Sequence, residues 1–126
     1  MIRTEAEEQE TVMRWAFLES GWRPELRMLF HIPNGGSRDK REAVHLKQQG
    51  VRPGVPDLFL AVPMDGEHGL FIEMKRNAKT ARVSPEQKAW IQALKEHGYR
   101  AVVCYGFEQA RTAIVDYLEG RNPFDY

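Results

Sequence analysis

With a single cysteine in 126 residues, the chain has no partner for an intramolecular disulfide and too few thiolates for a zinc cage. That residue, Cys104, sits inside the apolar run from Ala101 to Tyr105 and reads as a small core residue. No stretch approaches the roughly 20 uncharged apolar residues that cross a bilayer, so no membrane association is expected. The first ten residues hold four Glu against one Arg, the reverse of a secretory leader's basic start, and a soluble, cytoplasmic protein is expected. Histidine is sparse: His31, His45, His68 and His97 match no ligand spacing, which assigns each to a structural or surface role. Repeats, low-complexity tracts and linkers are missing too, and residues 1–126 are expected to form a single domain around one core.

Nor is there any excess of charge. Eighteen Lys and Arg balance 18 Asp and Glu, which ordinarily counts against a nucleic-acid partner because phosphate neutralisation drives most of that affinity. Distribution matters more than the sum. Arg38, Lys40, Arg41, Lys47 and Arg52 form one basic segment, and Lys75, Arg76, Lys79, Arg82 and Lys88 form another, while acids gather at the N-terminus and at Asp65 and Glu67. Taken alone, such runs read as solvated faces.

Thr4 with Glu7 makes a capping box, and Glu5 to Ser20 reads as a first helix closed by Gly21. Glu5, Gln9, Val12 and Ala16 share one stripe of it, so a polar pair lies in line with residues that face the core. Leu26 to Ile32 reads as a strand ended by the Pro33-Asn34-Gly35-Gly36 turn, after which Ser37 caps a basic helix to about Gln49. Two apolar strands follow, Asp57 to Val62 and Gly69 to Lys75, joined through the hairpin signal Asp65-Gly66 and expected to be covered on both faces. Ser84, Pro85 and Gln87 start a helix to about His97. Tyr99 to Tyr105 is a buried-type strand and Phe107 to Glu119 a final helix.

The chemistry concentrates in Pro56-Asp57 at the head of one strand and Glu73-Met74-Lys75 at the end of its partner. Alternation puts Glu73 and Lys75 on one face, and Asp57 joins them, about 5 Å from Glu73, when it pairs with an odd-numbered residue. A plain two-residue Asp65-Gly66 turn pairs Asp57 with Met74 instead, so an odd-numbered connection of three or five residues, or a local bulge, is expected. Two carboxylates side by side in an apolar sheet need compensating positive charge, which Lys75 and a divalent cation supply. Oxygen ligands suit Mg²⁺ or Mn²⁺ rather than zinc, with no small-molecule cofactor. A cation there polarises a phosphodiester while Lys75 positions water or steadies developing charge, and the basic segments track a phosphate backbone.

Pro56-Asp57 with Glu73-x-Lys75 resembles the PD-(D/E)XK nuclease signature. Ile32-Pro33-Asn34-Gly35-Gly36, Gly50 to Leu58, Gly69 to Lys75, Ser84-Pro85-x-Gln87-x-x-Trp90 and Gly98-Tyr99 are together similar, in order and spacing from about Glu5 to Leu118, to the VRR-NUC (virus-type replication-repair nuclease) domain. The resemblance implies an α/β restriction-endonuclease-like fold, a mixed central sheet flanked by helices. It implies metal ligation by Asp57, Glu73 and the Met74 carbonyl, with Glu5 as a further acidic group, and Lys75 as the catalytic lysine. Gln87 matches the family's glutamine near the site, and its local alternative is the capping-box partner of Ser84. DNA contacts are expected from Asn34, Arg38, Lys40, Arg41, Arg52, Arg76, Lys79 and Arg82. Pro53 stands where the family has a second arginine, which leaves Arg52 as that loop's cation. The implied activity is a metal-dependent endonuclease acting as a homodimer on branched DNA such as four-way junctions. Its alternatives are a flap or end-processing nuclease, and a catalytically idle DNA-binding module.

Overall fold

The computed structural model describes residues 2–33 and 39–122 and arranges them as a four-stranded sheet with helices around it. Helix α1 (Glu5–Glu19) starts at the expected capping box: the Thr4 hydroxyl accepts from Glu7 N, and the Glu7 carboxylate accepts from Thr4 N. The expected strand from Leu26 is then replaced by a 3-10 turn, Pro24–Met28, ahead of a short β1 (Leu29–His31). Pro24 pre-sets the backbone angle of a helical start, and Leu26 reaches the core from within the turn. Helix α2 (Lys40–Gln48) begins later than expected, because Asp39 caps it by accepting from Arg41 N and Glu42 N. Ser37, given that role from sequence, lies outside the described residues, as do Asn34 and Arg38.

Strand β2 (Leu58–Leu60) pairs antiparallel with β1 and with β3 (Leu70–Lys75). Helix α3 (Pro85–Glu96) crosses over to β4 (Arg100–Tyr105), which runs parallel to β3 at the sheet's edge, and α4 (Phe107–Leu118) follows. The expected mixed sheet flanked by helices is present. Leu58, Leu60, Leu70, Ile72 and Met74 form one core cluster with Val12 and Ala16 of α1 and with Ala110, Ile114 and Tyr117 of α4. Strand alternation sends Phe71, Glu73 and Lys75 to the opposite face.

That second face departs from the sequence reading, which has the strands covered on both sides. Neither α2 nor α3 buries a residue fully, and Phe59 and Phe71 are only half-buried. The aromatics cover one another instead: Phe59 stacks on Phe71 with ring centroids 4.2 Å apart, and Phe30 and Tyr99 meet them edge-on.

The hairpin connection reconciles a tight turn with an odd register. Asp65 and Gly66, with φ of 50° and 83°, make a two-residue tip closed by a Met64 to Glu67 bridge. Below the tip, Leu60 stands opposite Leu70, so Ala61, Val62 and Pro63 on one side face only His68 and Gly69 on the other. One extra residue shifts the ladder by one position, so that of the two expected alternatives, an odd-numbered connection or a bulge, the hairpin has the bulge.

Candidate active site

Loop 51–56 delivers Asp57 to the sheet. Gly54 is held at φ +90° so close to α3 that an added Cβ would lie 2.8 Å from the Glu86 backbone, and Pro56 is fully buried. Asp57 O accepts from Ile32 N at 2.7 Å, which ties the residue to the end of β1. Continuing the β2 to β3 register sets Asp57 opposite Glu73. Its carboxylate turns to accept from Met74 N at 2.7 Å through Oδ2. Because the N–H and C=O of one strand residue point to the same side, the Met74 carbonyl faces Asp57 too.

Glu73 is 2% exposed, and its carboxyl is pushed up to about 8, first by burial, then by the charge of Asp57 and the hydrogen bond the two carboxyls share. Lys75 opposes this rise, with Nζ 3.7 Å from Glu73 Oε2 and 3.6 Å from Glu5 Oε1. Glu5 itself is exposed, on the first turn of α1. Gln87 fills both roles open to it from sequence. Its Oε1 accepts from Ser84 N at 2.8 Å, completing the capping box, and this orientation leaves Nε2 to donate to Glu73 Oε2 at 3.0 Å.

Glu5, Asp57, Glu73, Met74, Lys75 and Gln87 thus converge from three elements, α1, β3 and α3, and one loop on a cleft of about 330 Å³, which Ala6, Gln9 and His31 also line. His31, set aside in the sequence reading, enters through the register of β1 against β2, which no local spacing reveals. Among the described residues no three carboxylate, imidazole or thiolate side chains gather closely enough to hold an ion by themselves. An ion between Asp57 and Glu73 therefore needs backbone and water oxygens as well, an all-oxygen donor set that fits a hard divalent cation. Burial first, and the nearby charge of Asp57 second, raise the Glu73 carboxyl by more than Lys75 lowers it.

Among the described residues, those expected to contact DNA, Lys40, Arg41, Arg52, Arg76, Lys79 and Arg82, do not line the cleft. Lys40 and Arg41 are exposed on α2, and Arg52 donates to Lys47 O at 3.3 Å near that helix's end. Arg76 donates to Thr80 Oγ1, and Arg82 to Lys79 O and Ala81 O, so these two arginines fold back on loop 76–83 beside an exposed Lys79. No helix among the described residues is long and apolar enough to cross a membrane.

The family model described as "VRR-NUC domain" matches residues 3–108. A solved structure described as "VRR_NUC domain protein" is similar to this chain with a TM-score of 0.75 and 28% sequence identity, over 94% of this chain and 91% of the other. No curated protein matches.

Proposed function

The chain belongs to the VRR-NUC domain family, a nuclease-type domain of PD-(D/E)XK fold that acts on DNA, and from that premise we propose that it is a metal-dependent endonuclease of branched DNA. The observation that carries this reading is the pairing of the Asp57 and Glu73 carboxyls with the Lys75 amine beside them. Asp57, Glu73 and the Met74 carbonyl would hold Mg²⁺ or Mn²⁺, with Glu5 available at the rim. When bound, such a cation polarises the scissile phosphodiester and favours its attack by water. Lys75 supplies a buried positive charge where negative charge develops, and its contacts to Glu73 and Glu5 fix where that charge sits. Gln87 holds one Glu73 oxygen so that the carboxyl keeps a single orientation toward Asp57. Exposed Lys40, Arg41, Arg52, Arg76, Lys79 and Arg82, with Asn34 and Arg38, would carry the flanking phosphates. The protein would work as a homodimer, which matches the two-fold character of a four-way junction.

Purified wild type and Lys75→Ala, compared on labelled four-way junction, flap, linear duplex and single-stranded DNA with Mg²⁺, Mn²⁺ or chelator, test this reading. The wild type is expected to cut the junction best and only with metal, and Lys75→Ala to lose at least about 100-fold in rate. Cleavage that survives chelation removes the metal from the mechanism. Binding without cutting under either metal makes the chain an idle binding module.

A further inference from the structure

Besides the carboxylates, one side chain in the cleft touches two parts of the site at once. His31, at the end of β1, has Nδ1 2.9 Å from Asp57 O and 3.0 Å from Gln9 Nε2. A carbonyl oxygen only accepts, so the first contact requires the ring proton on Nδ1. A nitrogen that carries this proton has no lone pair left for an N–H of Gln9. With Nε2 facing the ring the two contacts exclude each other, and the second becomes a hydrogen bond when the Gln9 amide is turned by half a turn so that Oε1 takes the place of Nε2, one N–H then serving two acceptors. Asp57 O also receives Ile32 N, so two donors hold this stretch of main chain.

We infer that His31 is a positioning residue: through Nδ1–H it anchors the main chain of Asp57 and orients Gln9 of α1, turning the Gln9 NH₂ toward the cleft that both residues line. Its functional consequence rests on the nuclease reading above, whereas the hydrogen bond rests on geometry alone. Groups that orient a metal-binding carboxylate from behind typically change metal affinity or activity by about 10–100-fold when lost. His31 holds Asp57 from β1, and the Met74 N–H holds its carboxylate from β3.

Asn places an amide near the position of Nδ1 and Gln near that of Nε2, so the two substitutions separate the ring nitrogens. With Mn²⁺ as the probe, His31→Ala and His31→Gln are expected to need about 10-fold more metal both for half-maximal cleavage and for half-maximal thermal stabilisation. The KM for DNA stays within about two-fold, and His31→Asn recovers most of the lost metal response. A His31→Gln variant that outperforms His31→Asn, or a His31→Ala variant with the wild-type Mn²⁺ requirement, overturns the inference. ¹⁵N NMR of the neutral ring gives a reading free of activity: a proton on Nδ1 supports it and a proton on Nε2 overturns it. If the wild type cuts no DNA with Mn²⁺, the nuclease reading fails, and the ring proton with the stabilisation series still decides the role of His31.

Discussion

Glu73 lies opposite Asp57 with its carboxyl held near 8, against 4.5 for an unperturbed glutamate. A carboxyl raised in the folded state contributes stability in full below its unfolded value, and that contribution is lost as pH climbs through the folded value. The window is therefore from about pH 4.5 to about 8. Without metal, the melting temperature of the wild type relative to Glu73→Gln is expected to fall steadily across it, in a thermal-melt series at fixed ionic strength. A divalent cation competes with the same proton, so stabilisation by Mg²⁺ is expected to grow as pH rises through the window. A pH-independent difference between the two proteins would falsify the assignment of the raised carboxyl to Glu73. The two acids and Lys75 are legible from strand alternation and hairpin register, and the capping role of Gln87 from its spacing to Ser84, whereas its place beside Glu73 is implied by the family resemblance alone. His31 is not legible, since its place depends on which residue of another strand it meets.

Loop 51–56 and α3 act as one brace behind Asp57. At Gly54 a methyl group meets the Glu86 backbone and the φ of +90° is hostile to a side chain, so two penalties coincide. Gly54→Ala is expected to cost about 1–3 kcal/mol of stability, measured by urea unfolding. Its cleavage rate is expected to drop further than the unfolded fraction explains, because relief of the clash moves the loop that carries Asp57. A Gly54→Ala protein of wild-type stability and rate would show that the close approach is not needed. The caps of α1 and α3 are conveyed by sequence, since Thr4, Ser84 and Gln87 act within a few residues of themselves, whereas α2 is capped by Asp39 and not by the expected Ser37. The 3-10 turn at Pro24 and the brevity of β2 are set by where Leu26 and Leu58 find the core, which is information from distant parts of the chain.

At the scale of the molecule, one core lies between the sheet and the α1 and α4 pair, and much apolar surface stays uncovered. Phe17, Leu18 and Trp22 are 78%, 70% and 86% exposed at the far end of α1. Such exposure suits the homodimer we propose. Sedimentation equilibrium is expected to return twice the 14.6 kDa chain mass, and a mass of one chain at every concentration would remove the dimer. The element order and the need for an odd-numbered hairpin connection or a bulge follow from sequence periodicity, and the class of fold from the family resemblance. The half-open second face does not, because apolar strand residues look alike whether helices or neighbouring aromatics cover them. The three-against-two count in that hairpin also restricts how the gene can drift. Insertions or deletions of two residues near the tip leave every strand side chain on its present face, whereas loss of one codon between Leu60 and Met64 turns the ladder over. Reading-frame-preserving changes of a single residue there would be purged, so the lengths of this hairpin among descendants of the sequence would be expected to differ by even numbers.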